Sequence, residues 1–199
     1  MTGGVASILR YRAPRSRSDA TAWLGMILFL GSWTMLFAAL FAAYGVLRLR
    51  SPEWPPFDVP RLPILLPGAN TLAMVASSIA LQSALRSARE GRVRSVLAAT
   101  AAALVLGGIF LAGQVALWVG LWRLGLKPDG GPFPSVFYGL TVFHGLHVLV
   151  GLFGLGWLVT RAAKASFGPT RHVGLRLWGG YWHFVGVIWV LLYLTLFVL

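Results

Sequence analysis

Two stretches near the C-terminus, FHGLH at 143–147 and YWHFVGVIW at 181–189, combine histidines with bulky aromatic residues inside long apolar runs. Runs of this kind predict helices that cross a lipid bilayer. Histidine is costly to place in hydrocarbon, so each one needs a hydrogen-bonding partner or a function. His144 and His147 are three residues apart and therefore point to nearly the same helix face. A metal site, a haem site, a proton relay and a helix contact are all compatible with this pattern.

The composition indicates a membrane protein. Hydrophobic residues make up 57% of the 199 residues and charged residues only 11%, whereas soluble domains carry about 25% charged residues. There is no cysteine, which excludes disulfides and thiolate metal ligands. A net charge of +12 would suggest nucleic acid in a soluble protein. Here the basic residues cluster in short loops between apolar runs, so they indicate topology, and we expect no nucleic-acid partner.

We predict an all-α integral membrane protein built as a bundle of five transmembrane helices. A span needs roughly 20 residues, and backbone groups in lipid must pair within their own helix. The predicted spans run from about 22 to 47, 70 to 88, 95 to 122, 135 to 160 and 176 to 199. Residues 1–21 are predicted to be a basic cytoplasmic segment, and residues 22–199 the membrane domain. The second span is the weakest, because serines and Gln82 dilute it.

The loop between the first two spans is rich in proline, which disfavours helix and predicts an extended segment. Its prolines are Pro52, Pro55, Pro56, Pro60, Pro63 and Pro67.

The acidic residues leave little charge inside the membrane. All of them fall in loops or at helix ends: Asp19, Glu53, Asp58, Glu90 and Asp129. Ion-coupled transporters usually keep a charged side chain at membrane depth. The pattern therefore argues against a transporter.

The histidines are the remaining polar groups of interest. A haem held by two histidines would need His144 or His147 to face His183 across a helix interface. Because the fourth and fifth spans run in opposite directions, we expect the two clusters to lie roughly 15 Å apart in depth. We therefore interpret the histidines as hydrogen-bonded residues of helix interfaces. We expect His183 to bond a neighbouring helix or a lipid group.

From Trp23 to Leu199 the chain resembles the cytochrome c oxidase subunit III family, which belongs to the haem-copper oxidases. The motifs of that family occur in order along all five spans. They are Gly25-Met26-Ile27-Leu28-Phe29, Trp54-Pro55-Pro56, Asn70-Thr71, Ser77-Ser78, Gln114, Phe137-Tyr138, Thr141, the stretch 143–147, His172 with Gly174, Tyr181-Trp182-His183-Phe184-Val185 and Trp189. The structural motif residues are His144, His147, Tyr181, Trp182 and His183.

The resemblance implies a non-catalytic subunit of a respiratory terminal oxidase, with no redox centre of its own. Haem and copper would belong to the partner subunits. The subunit would pack on catalytic subunit I, bind phospholipid, and support proton uptake and complex stability during O2 reduction. A five-helix form is common in bacteria, so we expect the bacterial plasma membrane. A larger respiratory supercomplex is a further partner that the resemblance leaves open.

Basic residues at the predicted cytoplasmic helix ends are our expected contacts for lipid phosphates. They are Arg86, Arg89, Arg161, Lys164, Arg171 and His172. Each basic side chain near an anionic membrane surface contributes about 1 kcal/mol. The alternative role of the same charges is to set the topology.

The chain departs from the family pattern at four positions that usually carry an acid. They are occupied by Trp33, Leu117, Arg176 and Gly186. A proton-antenna or carboxylate role is therefore not carried over to these sites.

Two other hypotheses remain. One is a subunit III homologue that serves a quinol oxidase or a nitric oxide reductase, since the electron-donor chemistry resides in other subunits. The other is a stand-alone small membrane transporter or enzyme.

The distribution of basic residues predicts the topology. Twelve of the 17 lie in the N-terminal segment and in the loops after the second and fourth spans. Cytoplasmic loops carry an excess of Lys and Arg, so the N-terminus should be cytoplasmic and Leu199 should be outside. A reporter enzyme that works only outside the cytoplasm should be active when fused after Leu199. Activity of a cytoplasm-only reporter at that position would reverse the assignment.

Overall fold

The computed structural model describes residues 17–56, 59, 60, 62–169 and 171–198, and its regular structure is helical. The elements are α1 (Arg17–Arg50), α2 (Leu65–Arg89), α3 (Val93–Arg123), α4 (Pro132–Ala163) and α5 (Val173–Tyr193). A short π-helical segment, Leu194–Val198, continues α5. Residues 1–16, which form most of the predicted basic N-terminal segment, lie outside the described part, as do Asp58, Arg61 and Leu199.

The prediction of five membrane-spanning helices is confirmed. All five are long and apolar enough to cross a bilayer, with α5 and the π segment forming one span. Each helix begins before its predicted span. Pro67, which the sequence predicts in the loop between the first two spans, lies instead in the first turn of α2. Proline is tolerated there because the first backbone N–H groups of a helix have no partner inside it. The same reason allows α4 to begin at Pro132.

Three helices end in the same way. Beyond α2, the N–H of Arg92 donates to the carbonyl of Ser87, and Gly91 has a φ of 73°. The α3 end repeats this with Gly125 in the turn. A residue with positive φ lets the chain turn back and satisfy the last carbonyls of the helix. At the α4 end the position is filled by Ala165, with a φ of 50°.

Four of the helices form a closed ring, and the first lies outside it. In this ring α2 packs on α3, α3 on α4, α4 on α5, and α5 on α2, while α1 contacts only α4 and α5 among the stronger contacts. The inner side of α1 is a stripe of large residues at helical spacing. It consists of Met26, Leu30, Phe37, Leu40 and Tyr44, with Trp33, whose ring contacts His147 on α4. Much of the remaining surface of α1 is exposed and apolar.

The C-terminal end of α1 is tied to the C-terminal segment. The hydroxyl of Tyr44 donates to the carbonyl of Thr195 at 3.1 Å, and the indole of Trp54 donates to the Tyr44 hydroxyl at 3.0 Å. Trp54 also packs on Phe133 at the start of α4, with ring centroids 5.2 Å apart. The Trp54-Pro55-Pro56 motif therefore closes one end of the bundle.

Trp182 on α5 contacts each of the other three helices that form the closed ring. Its indole is fully buried and lies between two glycines. A Cβ built on Gly107 of α3 would approach the ring to 2.7 Å, and one on Gly151 of α4 to 2.6 Å. The indole N–H donates to the hydroxyl of Ser77 on α2, at 3.0 Å. Ser77 in turn donates to the carbonyl of Ala103 on α3, at 2.7 Å. One side chain of α5 thus contacts three other helices.

This packing predicts that Gly151→Ala destabilises the bundle. The buried indole of Trp182 has no free space to move into, so α4 must shift outward. Overpacking of this kind costs about 1–3 kcal/mol. Gly156→Ala is the matched control, since a Cβ there meets nothing within 4 Å. SDS titration of the purified subunit, followed by circular dichroism, measures both. Equal stability of the two variants would contradict this tight packing of Trp182 against Gly151.

Candidate functional site: the buried histidine and aromatic layer

His144 lies at the centre of the bundle, fully buried on α4. Its ring stacks on Trp189 with centroids 5.4 Å apart and meets the edges of Phe110 and Phe37. Neither ring nitrogen has a hydrogen-bonding partner in the described part of the chain. His144 therefore fills space between four helices and joins an aromatic layer.

His147 faces α1, one turn further along α4. Its Nδ1 lies 2.6 Å from the carbonyl oxygen of Phe143. A carbonyl only accepts, so Nδ1 carries the proton and donates it. The Nε2 atom has no partner among the described residues, and the edge of the ring packs on Trp33 with centroids 3.9 Å apart. This ring is therefore held by one local hydrogen bond and by aromatic contacts.

Aromatic donors connect the helices across this layer. The hydroxyl of Tyr181 donates to the backbone carbonyl of His147 at 2.9 Å, joining α5 to α4. The indole of Trp189 donates to the hydroxyl of Thr71 at 2.9 Å, joining α5 to α2. Interhelical hydrogen bonds in membranes average about 0.6 kcal/mol. The hydrogen bonds of this layer therefore each contribute modestly to helix association, in addition to the close packing of its aromatic side chains.

His183 lies away from this layer. The sequence-based expectation that His183 and the His144–His147 cluster lie roughly 15 Å apart in depth is too large. Trp189 stacks on His144, and six residues of helix separate Trp189 from His183, which is about 9 Å. Direction, rather than depth, separates the histidines, because His183 is half-buried and lines a groove on the surface with Gln82.

The four positions at which the sequence departs from the acidic pattern expected from the resemblance differ from one another in their surroundings. Leu117 is a buried core residue. Trp33 covers His147, and the guanidinium of Arg176 lies 5.0 Å from the ring centroid of Trp23. Gly186 lies against α2, where a Cβ would meet Ser78 at 3.4 Å. Each of the four positions is therefore apolar, cationic or without a side chain, and each packs against its neighbours in this structure.

The structure brings four of the six predicted lipid contacts together, one in the last turn of α4 and three in the loop that follows it. Arg161, Lys164 and Arg171 line a polar pocket of about 490 Å³ between the ends of α4 and α5, and His172 follows Arg171 in the same loop. The guanidinium of Arg161 lies 5.5 Å from the centroid of Trp157.

The other two predicted lipid contacts, Arg86 and Arg89, lie in the last turn of α2. The turn after α2 is adjacent to the α4–α5 loop, since a Cβ on Gly91 would lie 3.9 Å from Pro169. All six therefore occupy the same end of the bundle.

Several buried polar residues were not identified as functional from the sequence. The amide of Gln114 is fully buried, and neither of its polar atoms is bonded within the described residues. The amide nitrogen of Asn70 is likewise unpartnered. The sequence feature that could have identified these two residues is a polar side chain inside an apolar run. Within the described residues, no group of three His, Asp or Glu side chains lies close enough to hold a metal ion.

The fold and this layer define a class: a multi-pass, all-helical membrane protein whose buried polar residues join helices. A family model described as "Cytochrome c oxidase subunit III" matches residues 18–199. The chain belongs to the cytochrome c oxidase subunit III family, as its sequence motifs indicated.

Several proteins named cytochrome c oxidase subunit 3 are similar to this chain over most of its length. The one from Synechocystis sp. is 37% identical over 179 residues, which is 88% of this chain and 74% of that protein. The one from Thermostichus vulcanus is 33% identical, over 88% of this chain and 86% of that protein. The one from Loxodonta africana is 34% identical, over 87% of this chain and 67% of that protein. Membership in this family implies association with other oxidase subunits.

Proposed function

We propose that this chain is the non-catalytic subunit III of a respiratory haem-copper oxidase. It packs on catalytic subunit I and supports proton uptake and the stability of the complex during O2 reduction. The match of the family model from residue 18 to residue 199 is the observation that carries the proposal. Haem and copper reside in the partner subunits. The polar groups of the buried layer serve helix packing.

The proposed setting is the bacterial plasma membrane, with the N-terminus in the cytoplasm. The adjacency of the α2–α3 and α4–α5 loops supports this orientation, because both are rich in basic residues. Cytoplasmic ends of membrane proteins carry this excess.

Purification and gene deletion test the function. The tagged chain, extracted from its native membrane in mild detergent, should retain a catalytic subunit that carries haem and copper. An oxidase that lacks the chain should begin O2 uptake at a near-normal rate but lose activity several-fold faster, because its proton supply and packing are weakened. The time course of O2 consumption measures this, and re-expression of the intact chain is the control.

Two results would contradict the proposal: a catalytic subunit that never co-purifies, or an activity lifetime unchanged by the deletion. The haem and copper content of the partner would also distinguish a cytochrome c oxidase from a quinol oxidase or a nitric oxide reductase.

We further propose that the polar pocket between α4 and α5 binds the phosphate of an anionic phospholipid. Three cationic side chains line it, and no acidic residue is among its lining residues. Trp157 lies at its edge, as expected of an aromatic residue at the level of lipid headgroups. Arg86, Arg89 and His172 extend the basic surface at the same end of the bundle.

Replacing Lys164 and Arg171 together with Gln should reduce bound anionic lipid. Each charge contributes about 1 kcal/mol, so the double variant should bind about 30-fold more weakly. Native mass spectrometry of the purified subunit, titrated with phosphatidylglycerol, measures the affinity. The matched control replaces Arg123 and Lys127, which lie at the opposite end of the bundle. Equal losses in both variants would show that only total charge matters.

A further inference from the structure

A long groove runs between α2 and α5 on the outer surface of the ring. One part, of about 470 Å³, is lined by residues from Met74 to Gln82 and from His183 to Leu191. An adjoining part of about 210 Å³ shares Gln82 and His183 and extends toward Arg176. Because Gly186 has no side chain, the middle of this α2–α5 groove stays open.

The α2–α5 groove contains polar side chains that have no partner in this chain. Ser78, Gln82 and His183 all line it. Within the described residues, none of the three makes a hydrogen bond, whereas the exposed Ser83 beside them donates to the carbonyl of Ile79 at 3.0 Å. Lipid tails supply no hydrogen-bonding group, so an occupant made only of acyl chains would leave all three unsatisfied.

A second groove on the same molecule gives the contrast. It lies along α4, has a volume of about 440 Å³, and is lined by Leu149, Leu152, Phe153, Gly156 and Thr160. Its only polar side chain, Thr160, donates to the carbonyl of Trp157 at 2.8 Å. The polar side chain of this α4 groove is therefore already hydrogen-bonded when the groove contacts lipid, whereas the polar side chains of the α2–α5 groove are not.

The hydrophobicity of α2 agrees with this difference. It is the least apolar of the five spans, yet only 28% of its most apolar window is buried inside the bundle. Ser77 and Asn70 account for polar residues on its inner side. Ser78 and Gln82 lie on its outer side. Helices whose polar residues face outward in a membrane are usually covered by another helix.

We infer that the α2–α5 groove is the docking surface for a transmembrane helix of the catalytic subunit. That helix presents hydrogen-bonding side chains to His183, Gln82 and Ser78. Neutral imidazole offers one donor and one acceptor, and the Gln82 amide offers both as well. The inference rests on the proposed function and adds to it the face that meets the catalytic subunit.

Photocrosslinking in the native membrane tests the docking face. A benzoylphenylalanine is placed at Val187 in the α2–α5 groove, or at Leu149 in the α4 groove. These side chains are 59% and 41% exposed. Each is fourteen residues from the α4–α5 loop end of its helix, Val173 or Ala163, so the two probes sit at similar depth. The Val187 probe should form an adduct with the catalytic subunit, and the Leu149 probe should form adducts with lipid only.

The outcomes separate this inference from the proposed function. If the catalytic subunit co-purifies but the Val187 probe captures only lipid or a different subunit, the docking face is wrong and the proposed function stands. Equal adduct formation with the catalytic subunit from both probes would also overturn the docking face. If the catalytic subunit never co-purifies, the proposed function fails and the docking face fails with it.

A second experiment addresses the hydrogen bonds themselves. His183→Leu with Gln82→Leu should weaken retention of the catalytic subunit about three-fold for each bond lost. The unfolding transition of the isolated subunit should stay unchanged, because neither side chain makes a hydrogen bond to any other residue that the structure describes. Thr160→Val in the α4 groove is the matched control and should leave retention unchanged. Full retention in the double variant, or an equal loss in the control, would overturn the role of these side chains.

Discussion

The packing of Trp182 between Gly107 and Gly151 is the constraint on which the other helix contacts depend. Lipid tails are as apolar as leucine, so burial of apolar surface does not drive helices together inside a bilayer. Association relies on close contact and on hydrogen bonds. Trp182 provides both, since its ring fills the space left by two absent side chains and its N–H reaches Ser77. Four helices are positioned relative to one another by one indole.

The histidine layer is organised around the same principle. His144 lies against Trp189 and His147 against Trp33, so each imidazole of this layer is covered by an indole. Of the ring nitrogens of His144 and His147, only the Nδ1 atom of His147 has a hydrogen-bonding partner among the described residues. Unpaired polar groups are costly in the low-dielectric interior, so the layer is held together by its aromatic packing and by the few hydrogen bonds that it makes. The layer thereby gives α1 a specific face on which to dock, although α1 lies outside the ring.

Three regions of the bundle surface differ in the charged and hydrogen-bonding side chains that they present. One end of the bundle is basic, where Arg161, Lys164 and Arg171 line a polar pocket. The α4 groove has no unmet hydrogen bond and is suited to hydrocarbon. The α2–α5 groove has hydrogen-bonding groups that hydrocarbon cannot satisfy, and this distinguishes a face for protein from a face for lipid. The contrast follows from side-chain chemistry and needs no information about a partner.

By itself, the sequence determined the class, the number of spans and the family. These depend on local properties: hydrophobic length, the alternation of basic loops, and ordered motifs such as Trp54-Pro55-Pro56. It misplaced Pro67, because a helix tolerates proline in its first turn. Only the tertiary structure decided that His183 faces outward while His144 and His147 face inward. It also decided which glycines receive Trp182. Helical spacing gives the relative angle of residues on one helix, but the rotation of each helix about its own axis is fixed by packing against its neighbours.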